Sequence, residues 1–79
     1  MSYTLISARY GTIVEFEFES FAAAMISATS EDRHGEAVPL RLICPDRVIV
    51  RDEHPYPHKK GSLQDMMEIW ERVIWGEAC

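Results

Sequence analysis

Hydrophobic and polar residues alternate in two neighbouring stretches near the N-terminus, Tyr3 to Tyr10 and Thr12 to Glu19, strictly so from Glu15 to Glu19. A period of two is the pattern of a β-strand with one face toward a core and the other toward water. Gly11 between the stretches suits the positive φ of a tight turn, so the pair predicts a hairpin with Tyr10-Gly11 as its loop. That register sets Tyr3 opposite Phe18, Leu5 opposite Phe16 and Ser7 opposite Val14, gathering the large apolar groups on one side. Thr4, Ile6, Ala8, Ile13 and the three glutamates Glu15, Glu17 and Glu19 take the other side.

The period then lengthens. Phe21, Ala24, Met25 and Ala28 recur at helical spacing behind Ser20, an N-cap residue, and Gly35 stands just past the end of a helix predicted to run through Asp32. Leu40 to Cys44 and Val48 to Val50 predict a second hairpin. Its Pro45-Asp46 favours a type I turn inside a three-residue loop, 45–47. In that arrangement Leu40, Leu42, Cys44, Val48 and Val50 face the core, while Arg41, Ile43, Ile49 and Arg51 face out; a two-residue loop would put Arg47 and Arg51 among core positions. His54 to Gly61 carries two prolines with one residue between them and predicts an extended linker. Ser62-Leu63-Gln64-Asp65 resembles a capping box, and Leu63, Met66, Met67, Trp70, Val73 and Ile74 follow on one helical face up to Gly76. The expected architecture is a single domain over 1–79, of the α+β class. It is a two-layer ββαββα unit, with a four-stranded antiparallel sheet and both helices on one face.

Seventy-nine residues bury little core. An apolar fraction of 47% with 27% charged residues nevertheless lies far from the composition of disordered chains. The net charge is −5, from thirteen acidic and eight basic side chains. Residues 1–32 carry five acids against Arg9, residues 33–60 six bases against four acids, and residues 61–79 four acids against Arg72. Direct binding to nucleic acid depends on neutralising phosphates, so this balance favours a basic protein surface as partner instead. The longest apolar run, Phe21 to Ile26, is far shorter than the ~20 residues of a membrane span, and no secretory leader is legible. A cytoplasmic chain with Cys44 and Cys79 reduced is expected.

The chemistry-bearing residues divide into few groups. Glu15, Glu17 and Glu19 form an acidic row whose ordinary reading is the solvated face of a strand, paired with Arg41 and Arg51. Neighbouring carboxylates ~6.8 Å apart repel by roughly 0.6 kcal/mol per pair in water, so the row carries a small cost and invites a second reading as a contact surface for a basic groove. Asp65, Glu68 and Glu71 make a second acidic group on the last helix. Ile6, Ile13, Ile43 and Ile49 on the outer sheet face, with Trp75 near the helix end and the terminal Cys79, are the candidates for self-association into a homodimer. His54 and His58 are four apart, but the prolines forbid the helix that would align them on a metal. No nucleophile, base and orienting group stand together, and no glycine-rich phosphate loop occurs, so neither an enzyme nor a cofactor or metal is expected.

A compact acidic ββαββα chain with a glutamate-lined strand resembles the small phage-encoded anti-CRISPR proteins. Several of these act as DNA mimics or block the DNA-binding surface of the Cascade complex. The resemblance is one of format over the whole chain, carried by Glu15, Glu17 and Glu19 with Asp65, Glu68 and Glu71. It implies an inhibitor acting in the host cytoplasm on a CRISPR effector complex. A weaker likeness is to HicB-type antitoxins, which also open with a hairpin and an alanine-containing helix; Tyr10-Gly11 departs from their Gly-Tyr and proline-rich strand ending. That likeness implies an antitoxin-like interaction protein, and the isoleucine face supplies the alternative of a homo-oligomeric structural or assembly protein.

Overall fold

A computed structural model describes residues 2–52 and 60–74. The elements follow the order β1 (Tyr3–Arg9), β2 (Thr12–Phe18), α1 (Phe21–His34), β3 (Val38–Ile43), β4 (Val48–Val50) and α2 (Leu63–Ile74). The fold is α+β, with one antiparallel sheet in the order β2-β1-β3-β4.

The first hairpin has the register its alternation dictates, with Tyr3 opposite Phe18, Leu5 opposite Phe16 and Ser7 opposite Val14. Both loop residues have positive φ, 50° at Tyr10 and 78° at Gly11, as a turn matched to strand twist requires. A left-handed conformation is disfavoured for tyrosine, and here it is held by the pairing on either side. β1 then pairs with β3 on its other edge, which joins the two hairpins into a single sheet. Between Ile6 and Ser7 that ladder shifts by one residue. The shift accommodates Pro39, which lacks an N–H for the ladder yet sits buried inside β3. The strand accordingly starts at Val38, two residues before the Leu40 expected from hydrophobicity.

Helix α1 is capped at both ends by local chemistry. Ser20 accepts a hydrogen bond from the Ala23 amide at 3.1 Å. At the other end Gly35, with φ 68°, donates to the Asp32 carbonyl, and Glu36 donates to Glu31, the paired bonds of a Schellman ending. These bonds carry the helix to His34, two residues beyond the expected stop. Its slim flank, Ala24 and Ala28 with Met25, is fully buried. Helix α2 begins at Ser62, whose hydroxyl accepts from the Asp65 amide at 3.2 Å, while the Asp65 carboxylate reaches back to the Gly61 amide at 3.1 Å. This is the expected reciprocal cap, displaced by one residue on its return arm.

Both helices pack against the same side of the sheet. Leu5, Leu42 and Ile49 from the strands meet Ala24, Met25 and Ala28 of α1 and Leu63 and Met67 of α2, with Cys44 at the hairpin end. Tyr3, Phe21 and Trp70 close one end of this core through edge-to-face ring contacts at 6.0 and 6.2 Å. Val73 is a correction: it falls on the helical stripe but is 72% exposed. Ile74 in the same turn stays half-buried, so the covered stripe narrows there and leaves Val73 outside it.

The second hairpin is a further correction. Arg41 pairs with Val50, Leu42 with Ile49 and Ile43 with Val48. The Cys44 amide donates to the Arg47 carbonyl at 2.8 Å, closing Pro45-Asp46 as the tight loop. This one-residue change from the expected register turns every side chain of β4 over. Ile49 goes into the core at 5% exposure, whereas Val48 and Val50 face outward at 55% and 53%. The cost that argued against this register, arginines on the inner side, does not arise, because β4 is an edge strand and long side chains there reach around the core. The Arg47 guanidinium lies 5.9 Å from the centre of the Phe21 ring. Arg51 donates to the Pro39 carbonyl at 3.2 Å and stands 3.7 Å from the Asp32 carboxylate of α1.

Candidate functional site

The outer face of the sheet is the side the helices leave bare, and the strand registers fix what it presents. Across the sheet from β2 to β4 the rows read Ile13–Ala8–Val38, then Glu15–Ile6–Arg41–Val50, then Glu17–Thr4–Ile43–Val48. Glu19 follows at the end of β2. Acidic groups therefore line one edge, aliphatic groups fill the middle and the far edge, and one arginine lies between.

Glu15, Glu17 and Glu19 are all exposed. Among the described residues none of them has a hydrogen bond or an ion pair. Two candidates for neutralising them were Arg41 and Arg51. Arg41 shares the outer face but stands across β1, two strand spacings or ~9.6 Å from Glu15. Arg51 is drawn to the opposite layer by Asp32 and the Pro39 carbonyl. β2 is also an edge strand, so one side of its backbone has no ladder partner among the described residues. A shallow open depression at its end is bordered by Ser2, Glu17, Phe18 and Glu19. Among the described residues its rim has no histidine or cysteine, and its space of about 830 Å³ lies open to solvent rather than enclosed.

The second acidic group is not brought to this surface. Asp65 is half-buried and committed to capping α2. Glu68 stands 3.5 Å from Arg72 on its own helix, and Glu71 is exposed there. All three lie in the helix layer, across the sheet from the β2 glutamates, so one flat partner cannot contact both groups at once.

Of the residues expected to mediate self-association, Ile13 and Ile43 lie exposed on the outer face and Ile6 half-buried between its neighbours. Ile49 is withdrawn from that set, because the β4 register buries it. Trp75 and Cys79, like His54 and His58, lie outside the described residues. Val38, Val48 and Val50 join the face instead, at 46%, 55% and 53% exposure. Hydrophobicity alone could not find them, since Val48-Ile49-Val50 is apolar on both faces. The flanking Arg47 and Arg51 were the usable signal, marking an edge strand whose inner positions reach solvent.

Cys44 is a buried free thiol. Among the described residues no group of three or more His, Cys, Asp or Glu side chains is placed to hold a metal ion. No described helix is long and apolar enough to cross a membrane. Compared with known proteins, the chain matches no family model, no curated protein and no solved structure.

Proposed function

We propose that this chain is a non-enzymatic inhibitor that binds a basic protein surface, using the glutamate row of β2 in place of a nucleic-acid backbone. The observation that carries the reading is that Glu15 and Glu17 share the outer face of an edge strand and Glu19 follows just past its end, all three exposed and without an ion pair among the described residues. Carboxylates repeated every second residue offer charge at regular ~6.8 Å intervals, and lysine or arginine side chains lining a groove would meet them with charge-assisted hydrogen bonds. Rigidity adds to the match, because Glu15 and Glu17 are fixed by the ladder to β1 rather than carried on a loop, with Glu19 one residue past its last pair. The net charge of −5 would steer such an encounter.

The DNA-binding groove of a CRISPR effector complex of the Cascade type is the partner that this reading names, and the host cytoplasm its location. The contact rests on the β2 row, with Asp65, Glu68 and Glu71 outside it for the geometric reason given above. The test is competition: the purified chain added to the effector complex and a labelled DNA target, read by gel shift. The expected result is displacement of DNA, slower as salt is raised. Unimpaired DNA binding at saturating protein would reject the proposal for that class of partner.

A further inference from the structure

Nine large apolar residues are exposed among those described, and five of them, Ile13, Val38, Ile43, Val48 and Val50, share the outer sheet face. The other four are dispersed over the turn at Tyr10 and the two helices. A face that concentrates aliphatic groups in this way is larger than the scattered exposure normal for a lone domain. We propose that the face is covered by a second copy of this chain, packed sheet against sheet about a two-fold axis parallel to the strands.

The charge pattern selects both the occupant and the axis. Along the row Glu15–Ile6–Arg41–Val50 the face runs from acidic to basic and aliphatic. A two-fold parallel to the strands lays β2 over the partner's β4 and β1 over the partner's β3. Glu15 then comes within one strand spacing of the partner's Arg41, and the reciprocal pair forms by symmetry, the self-complementarity of an isologous interface. An axis across the strands would instead lay one glutamate row on the other and be repelled. The pattern is thus self-complementary in one orientation only.

Size sets the strength. Strands of 7, 7, 6 and 3 residues cover about 375 Å² in plan, so the pair would bury roughly 750 Å², below the standard 1,200–2,000 Å² and in the range of weak, reversible contacts. A reversible equilibrium is expected of a contact this small, not a permanent dimer. The glutamates of β2 lie over the partner's β4 in such a dimer, so self-association and the proposed inhibitory contact compete for the same edge of the sheet, and the dimer is tested without any basic partner present.

Sedimentation velocity on the full chain under reducing conditions, over about 10 to 500 µM, brackets that equilibrium. The expected result for the unaltered chain is a concentration-dependent shift from monomer to dimer. Ile43→Lys or Val48→Lys, at exposed positions, should raise the dissociation constant at least about tenfold by placing a charge in the contact. Glu15→Arg and Arg41→Glu should each weaken the dimer, and the double exchange should restore it. A monomer throughout the concentration series overturns the proposal without reference to any variant. So does a dimer indifferent to Val48→Lys, or one lost on Val73→Lys in the helix layer.

Discussion

The register of the second hairpin decides which residues the outer face displays, and a pair of alanine substitutions reads it directly. Ile49 is 5% exposed and belongs to the same buried cluster as Leu5, Leu42, Met25 and Leu63, whereas Val48 and Val50 are more than half exposed. Truncating a buried isoleucine to alanine costs about 2–5 kcal/mol; near the edge of this small core about 3 kcal/mol is expected. For 79 residues the unfolding entropy is about 0.17 kcal/mol/K, so Ile49→Ala should lower Tm by about 18 °C. That is a large part of a total stability of about 4–12 kcal/mol for a chain of this length. Val48→Ala and Val50→Ala remove groups already in water and should cost about 0.5 kcal/mol or less, near 3 °C. Urea denaturation followed by circular dichroism measures all three variants, with the slope of the transition checking that the unfolded reference has not changed. Equal losses, or a larger loss at Val50 than at Ile49, would refute the register and with it the composition of the outer face.

Three further outcomes follow from local geometry. Gly35→Ala, at φ 68° with open space around the position, should cost about 1 kcal/mol through backbone strain alone, and a neutral result would mean that α1 ends differently. Ser7 is fully buried and its hydroxyl has no hydrogen-bond partner among the described residues, so Ser7→Ala should raise stability by about 1 kcal/mol; a clear loss would show the hydroxyl to be satisfied in solution. Glu17→Gln removes the two nearest repulsions in the acidic row and should stabilise by up to about 1 kcal/mol at 10 mM salt, fading to about 0.1 at 1 M. Because residues two apart stay close in the unfolded chain, that figure is an upper bound; a destabilised variant would mean that a cation neutralises Glu17 in the folded state.

The first half of the fold is legible because each local signal there agrees with the others. Alternation, the Tyr10-Gly11 turn, the Ser20 cap and the Gly35 ending all fix the same elements, and the acidic row is a direct consequence of the hairpin register. The second hairpin is not legible in the same way. Val48-Ile49-Val50 has no polar residue to choose a face, and the choice was referred to Arg47 and Arg51 on the assumption that inner positions are core positions. That assumption holds for central strands and fails at β4, where Arg51 finds Asp32 and a backbone carbonyl on the rim. Pro39 misleads for a related reason: a proline argues against a central strand unless a ladder shift absorbs it, and nothing local announces the shift. The distribution of acids between layers was equally hidden, since it depends on which side of the sheet the helices cover.

If Glu15, Glu17 and Glu19 make the contact with a basic partner, binding to a Cascade-type effector complex at low and high salt should depend on all three. The comparison is between the unaltered chain, the triple variant Glu15→Lys, Glu17→Lys, Glu19→Lys, and the control Glu68→Lys, Glu71→Lys in the helix layer. Salt-sensitive binding is expected of the unaltered chain and the control, and none of the triple variant, with all three giving the same circular dichroism spectrum. Undiminished affinity of a folded triple variant would contradict it.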